Sequence, residues 1–421
     1  MQLPRSTFRA VFFLSLLPLS ADAADWTCFH GPRGTGVASG AKLPVSWDQQ
    51  TNVAWKVQLP GQGWSSPVVW DGNIYLTAAV EVGDEEEGYS LRALCLRGKD
   101  GSVSWSREIF SQSKDAPPIH KKNSHASPTP VIRDGRLYVH FGHQGTACLD
   151  LDGEVIWKNA DLFYAPVHGN GGSPVVNGDK LFFSVDGSTE AYVIALSTET
   201  GEVVWKFERD VEAGAKFSFS TPLVIRVDGV EQLISTGSSV VHSLNVETGQ
   251  VNWLVRHAGY SVIPKPVFGN GLVYVSTGYD SSSLLAIDPS GEGDVTDSHV
   301  KWSASRQIPH TPSVALVEDA IFMISDKGIA SCLNALTGEV HWQQRVGGNY
   351  SASPIVNDGK VFFLSEEGEG IVVAAEKNFK KIATNALQER TLASYGVIDD
   401  ALLIRTQTHL YRIEDRSTGS R

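Results

Sequence analysis

The sequence predicts an all-β fold: an eight-bladed β-propeller of four-stranded antiparallel blades, its ring closed by an N-terminal strand that completes the last blade. Three observations carry that prediction. Tryptophans recur at Trp55, Trp105, Trp157, Trp205, Trp253, Trp302 and Trp342, at intervals of 50, 52, 48, 48, 49 and 40 residues. A turn dipeptide precedes five of them at a fixed offset, and a second turn lies upstream in most units. The 421 residues include 40 Gly and 19 Pro, as many short strands joined by many turns require.

Taken in chain order, residues 1–23 read as a secretory signal. Arg5 and Arg9 form a positive region, Ala10 to Leu19 a short apolar core, and Ala21-Asp22-Ala23 sets small residues where a signal peptidase reads. The apolar run is too short to span a bilayer. Cys28 lies in a Trp-Thr-Cys-Phe context that is wrong for a lipid anchor. Cleavage near Ala23 would leave a periplasmic or secreted protein. Residues 24–50 form a strap. Its run His30-Gly31-Pro32-Arg33-Gly34-Thr35-Gly36 has no Gly-Lys-Ser/Thr and opens no helix, so it crosses the propeller and is no phosphate loop.

Residues 51–415 are the propeller. The five dipeptides are Asp100-Gly101, Asp152-Gly153, Thr200-Gly201, Thr248-Gly249 and Thr337-Gly338, each starting five residues before its tryptophan. Upstream hairpins turn at Asp71-Gly72, Asp134-Gly135, Asn177-Gly178, Asp228-Gly229, Asn270-Gly271 and Asp358-Gly359. Glycine accepts the positive φ of such turns, and the flanks are β-branched or aromatic, as in Val68-Val69 and Ile74-Tyr75-Leu76. First strands start near Pro67, Pro130, Pro174, Pro222, Pro266, Pro312, Pro354 and Tyr395, which makes eight blades. The last ends at Tyr411-Arg412-Ile413 without a fourth strand, and Val53-Ala54-Trp55-Lys56-Val57 is an orphan of that type. Pairing the two removes the exposed edges. Residues 416–421 are a tail.

The run Ala195-Leu196-Ser197-Thr198-Glu199-Thr200-Gly201-Glu202-Val203-Val204-Trp205 resembles the pyrroloquinoline-quinone-type propeller repeat, as do Leu244 to Trp253 and Leu333 to Trp342. The resemblance covers about residues 50 to 415. The opening Gly61-Gln62-Gly63-Trp64-Ser65-Ser66-Pro67-Val68-Val69 is similar to a group of exported bacterial propellers. That group is related in fold to quinoprotein alcohol dehydrogenases and to the propeller lipoprotein of the outer-membrane β-barrel assembly machinery. The dehydrogenases imply a quinone held against a disulfide between adjacent cysteines, a calcium or lanthanide ion and an Asp base. This sequence has no adjacent cysteines and no matching carboxylate set. The expectation is therefore an exported, non-catalytic binding or scaffold propeller. It would present a channel mouth or rim to an envelope protein or glycan, with no cofactor and no catalytic residue. The alternative is a dehydrogenase using pyrroloquinoline quinone and calcium.

Each tryptophan of the repeat is expected to pack between neighbouring blades. Cys95 and Cys332 fall ten residues before their tryptophans and Cys148 nine before its own, where other blades carry Ala195 or Ser243. These are read as small buried hydrophobes with free thiols, a Cys28 pairing being left open. No metal site is expected. His140 and His143 would point to opposite faces of a strand, and Glu81 to Glu87 and Gly291 to Asp297 read as solvated charge. A formal net charge of −12 without a basic block argues against nucleic acid and anionic lipid. A monomer is expected. The candidate site is the channel mouth, where the links into the innermost strands should converge. Aligned on the strand starts, it takes His125, His168, Asn170, Lys216, Tyr260, Arg306, Asn349, Tyr350 and Arg390 as polar or aromatic ligand-facing groups. The polar, proline-containing insertion 111–126 is expected to cap the funnel.

Overall fold

The computed structural model describes residues 25–83, 88–162, 164–209 and 214–416. The expected signal segment, the tail beyond Arg416 and Asp84 to Glu87 of the acidic run lie outside them.

Eight antiparallel sheets make up the molecule, and almost all remaining structure is turn or loop. The first blade shows the plan. Val68–Trp70, Asn73–Glu81, Tyr89–Arg97 and Val103–Gln112 pair in sequence order, each with the next. The hairpin turns use positive φ at Asp71 and Gly72, as the dipeptide requires. First strands are short, and those of neighbouring blades touch one another around the ring, so they line the central channel. Fourth strands lie outermost. The middle strands carry the core, with residues such as Leu94, Ile194, Leu233 and Phe322 fully buried between sheets.

Ring closure follows the predicted pairing. Val53–Gln58 is the fourth strand of the last blade and runs antiparallel to His409–Ile413, with Trp55 opposite Arg412. One blade exceeds the expected four strands. Gly293–Asp294 adds a short parallel strand beside Val251–Arg256, in the stretch read as solvated charge. The geometry also corrects the expected strand start at Pro312. The sixth blade's first strand is Ala315–Val317, so Val314 occupies the position that Pro67 holds in the first.

The tryptophans join neighbouring blades through one repeated contact. Each indole N–H donates to a backbone carbonyl of the following blade: Trp55 to Gly98, Trp105 to Leu151, Trp157 to Thr198, Trp205 to Val246, Trp253 to Pro289, Trp302 to Ala335 and Trp342 to Glu376, all at 2.9–3.0 Å. Five of the rings also cover the turn glycine of that next blade. A methyl group on Gly249 would lie 2.7 Å from Trp205, and one on Gly201 2.4 Å from Trp157. This explains why tryptophan and Thr-Gly or Asp-Gly recur with one period. The seventh blade has Ala383 where the tryptophan would stand, opposite Val372. Its neighbour is the closing blade, whose third and fourth strands are not joined by a turn. There is no turn glycine for an indole to cover.

All four cysteines are free, Cys28 included. Cys95, Cys148 and Cys332 face the tryptophan strand, opposite Trp105, Trp157 and Trp342.

Candidate functional site

The residues just before the innermost strands build a ring of hydroxyls around the channel. Ser66 N–H donates to Thr129 Oγ1, Thr129 N–H to Ser173 Oγ and Ser173 N–H to Thr221 Oγ1, each at 2.9 Å. The chain resumes with Lys265 N–H to Ser313 Oγ at 3.0 Å, then Ser313 to Ser353 and Ser353 to Ser394 at 2.9 Å. Each hydroxyl accepts the amide of the blade before it. The chain is open where the fifth blade carries Lys265 instead of Ser or Thr, and again between Ser394 of the last blade and Ser66 of the first, which these six bonds do not join.

That lysine organises the channel floor. The strap enters beside the first two blades, where Trp26 and Thr27 carbonyls accept the N–H groups of Val69 and Ile132 at 2.8 Å. It crosses to the seventh blade, where Gly36 accepts the Val356 N–H at 2.8 Å and Ala38 donates back to Val356 at 2.8 Å. Midway, Lys265 Nζ donates to the Gly34 carbonyl at 2.7 Å. Burial pulls the Lys265 ammonium down to about 8, with the Cys28 thiol opposing the shift. His30 lies in the same plug, stacked on Phe29 at 4.4 Å, with neither ring nitrogen bonded. Its burial, and then the charge of Lys265, hold it at about 3, so it is neutral. The strap thus lies across one end of the channel.

Above the plug, a cavity of about 650 Å³ opens at the other end, with Phe29 in its floor and the ring hydroxyls in its wall. Its rim carries an arc of six rings in edge contact. Centroid distances are 5.6 Å for His120–His168, 5.3 Å for His168–Phe217, 5.8 Å for Phe217–Tyr260, 5.7 Å for Tyr260–Tyr279 and 5.6 Å for Tyr279–His310. Such tilted and edge-on arrangements suit the ring quadrupoles. Across the cavity stand Trp64 and Leu392. The charged lining groups are Lys122, Asp326 and Lys327. Asp326 is held in place by the His310 amide at 2.7 Å and the Thr311 hydroxyl at 2.8 Å.

The insertion after the first blade reaches over this mouth. Lys122 Nζ bonds Glu366 of the seventh blade at 2.6 Å, and Arg390 donates to the Lys121 carbonyl at 2.9 Å. On the other side Asn123 donates to the His168 carbonyl at 2.8 Å. Beside the mouth, Arg209 and Asp186 form a fully buried ion pair at 2.9 Å, and Arg209 also reaches Ser235 Oγ at 2.6 Å, tying the third blade to the fourth. Arg405 is buried with no carboxylate partner among the described residues; it donates to Ser65 Oγ at 2.6 Å, and burial lowers it to about 9.

Of the nine residues expected at the mouth, the structure brings His168 and Tyr260 to the cavity wall. The other seven stand elsewhere. His125 packs at a tilt on Tyr89, centroids 4.5 Å apart, and hydrogen-bonds Gln112 at 2.7 Å. Asn170 is buried against Tyr164 and the Phe141 carbonyl. Lys216 is outside the wall that its neighbour Phe217 lines, and Arg306 is exposed before the misaligned Pro312. Asn349 bonds Glu367 at 2.8 Å, and Tyr350 is 1% exposed in the core of the sixth and seventh blades. Arg390 lies over Trp64 at 5.7 Å without lining the cavity. Counting back from a proline mis-assigns them because link lengths differ between blades. His143 sits on the 3-10 turn Gly142–Gln144 and not in the strand that ends at His140, so the alternation argument does not apply to the pair. Among the described residues no group of three or more His, Cys, Asp or Glu is placed to hold a metal ion, and no helix is long and apolar enough to cross a membrane. The hydroxyl ring and the His120, Phe217, Tyr279 and His310 members of the arc were not anticipated from the sequence. A signal for the ring existed: Ser or Thr precedes Pro67, Pro130, Pro174, Pro222 and Pro354, and Lys precedes Pro266.

Comparison with known proteins finds a matching family model, described as outer membrane protein assembly factor BamB, over residues 33–184, 112–297 and 291–381. The assembly factor BamB of Yersinia pestis is 24% identical over 216 residues, 46% of this chain and 51% of that protein. That of Moranella endobia is 23% identical over 296 residues, 65% of this chain and 71% of the relative. The chain thus spans about half the length of the first of these relatives. Methanol dehydrogenase subunit 1 of Methylobacterium organophilum is 31% identical over 110 residues, 23% of this chain and 17% of its own. Two solved structures share the fold. BamB from Moraxella catarrhalis superposes with a TM-score of 0.62 at 14% identity, over 88% of this chain and 99% of its own. The quinohemoprotein alcohol dehydrogenase ADHIIG from Pseudomonas putida HK5 does so with 0.68 at 11% identity, over 97% and 83%.

Proposed function

The chain belongs to the family of the outer membrane protein assembly factor BamB, and from that membership we propose that it is a non-catalytic binding propeller of the cell envelope. It acts outside the cytoplasmic membrane and holds an envelope partner at the open mouth of its channel. One observation carries the reading: the cavity of about 650 Å³ is sealed below by the strap, rimmed above by an aromatic arc and spanned by a bridging loop. A site closed at one end and lined by aromatic groups with a few placed polar groups is built to hold a ligand.

A redox cofactor is left out of this reading. The resemblance implies a quinone on a disulfide of adjacent cysteines, whereas the four cysteines here are separate free thiols and none lines the cavity. It also implies a cation held by acidic and amide side chains. The one carboxylate in the wall, Asp326, is taken up by the His310 amide and Thr311 hydroxyl. These residues do not fit a quinone with its metal, and hydride chemistry belongs to the cofactor.

The test is photo-crosslinking in cells that express the protein. A photoreactive side chain at Tyr279, which is 53% exposed on the rim, should yield a discrete envelope adduct. The same group at Lys42, on the strap away from the mouth, should yield none. Equal adducts from both positions, or none from Tyr279, would defeat the reading.

A further inference from the structure

Deepening the reading just given, and resting on it, we propose that the mouth takes the end of a neutral glycan chain. Three observations select that chemistry. The first is the hydroxyl ring. Six of its members accept a backbone N–H from the neighbouring blade, and their protons have no acceptor among the described residues. A hydroxyl keeps one donor and a further lone pair, so the wall offers both roles at each position. A polyhydroxylated ligand uses both.

The second is the aromatic arc from His120 to His310. Sugar rings present a face of C–H bonds that packs on an aromatic surface while their hydroxyls point outward. Phe217, Tyr260 and Tyr279 supply such surfaces next to the ring, and Tyr279 is 53% exposed. A cavity of about 650 Å³ falls within the usual range for small-ligand sites, roughly 300–1,000 Å³.

The third is charge. Lys122 is paired with Glu366 at 2.6 Å, and Asp326 offsets Lys327 within the wall. No net charge is left to select an anion or a cation. An extended peptide is disfavoured by topology: it would pair with the free edges of innermost strands, and at Val69, Ile132 and Val356 the strap already occupies those edges.

The test titrates the purified protein by calorimetry with maltotriose, cellotriose, chitotriose and mannotriose, beside a mixture of extended octapeptides. Saturable binding of at least one trisaccharide is expected. Tyr279→Ala and Phe217→Ala should each weaken it about tenfold, the loss of one aromatic contact, and exposed Arg306→Ala should leave it unchanged. Melting curves check that each variant is folded, and Tyr279→Ala removes only a rim side chain. The proposal falls if no trisaccharide binds, if both aromatic variants keep full affinity, or if the peptides bind in place of the sugars. Its failure is distinguishable from that of the envelope reading: a protein adduct from position 279 without sugar binding sinks the glycan alone. Sugar binding without any envelope adduct sinks the envelope reading alone.

Discussion

Lys265 Nζ donates to the Gly34 carbonyl at 2.7 Å, so the blade that lacks a ring hydroxyl uses that position to hold the strap across the channel floor. Replacement by Met keeps most of the volume and removes this bond. Hydrogen exchange at the Gly36 and Val356 amides, which bond within the plug and to it, should then accelerate. The pH dependence is diagnostic. The folded value near 8 lies below the 10.5 of the free side chain, so between them the unfolded chain binds the extra proton. Stability should rise from pH 8 toward 10 in the parent and lose that increment in Lys265→Met. Identical exchange and identical pH profiles would refute the anchor.

Trp205 and Gly249 form one interblade joint. Gly249 has φ +71°, and a methyl group there would meet Trp205 at 2.7 Å. Gly249→Ala should destabilise by about 1–3 kcal/mol through strain and overpacking, and Trp205→Ala by about 3–5 kcal/mol. In urea unfolding the double variant should cost less than the sum of the singles. Strict additivity would show that the two act separately.

Acid should unfold this protein earlier than its carboxylates alone would dictate. Burial, first among the causes, holds His30, His140 and His242 at about 3, against 6.5 when free. Below pH 6.5 the unfolded chain takes protons that these native histidines refuse. Their contribution is complete above pH 6.5 and is lost as pH falls toward 3. Each withdraws up to about 1.4 kcal/mol per pH unit. Urea midpoints should stay level from pH 7.5 to 6.5 and fall increasingly from there to pH 5, and midpoints flat down to pH 5 would contradict it.

The bridging loop should depend on the Lys122–Glu366 pair, whose side chains are 34% and 14% exposed. Glu366→Gln should raise proteolytic nicking and hydrogen exchange over residues 119–124 while shifting the melting midpoint little, since partly exposed pairs contribute about 1 kcal/mol or less. Unchanged protection of the loop would mean that the Asn123 and Lys121 backbone bonds suffice.

Calorimetric titration with pyrroloquinoline quinone and calcium, beside a dye-coupled alcohol oxidation assay, should show neither binding nor turnover. Tight calcium-dependent binding with turnover would make the protein a quinoprotein with an unfamiliar site.

The sequence by itself determined the number of blades, the closing strand and the tryptophan period. Each of these is written locally, in alternating strands, turn glycines and one indole per repeat, and Trp55 stood in the orphan strand where the last blade needed it. Which residues line the floor and the mouth, and which bonds hold the strap and the insertion there, was decided only by tertiary structure. Links of unequal length bring Phe217, Tyr279 and His310 to one rim while burying Tyr350 and turning Arg306 outward, and no count from a proline reveals which will happen. The strap is the extreme case. Gly34 and Lys265 are separated by 231 positions, and only the circular order of the blades brings a carbonyl from one end of the chain beneath a lysine in the fifth blade.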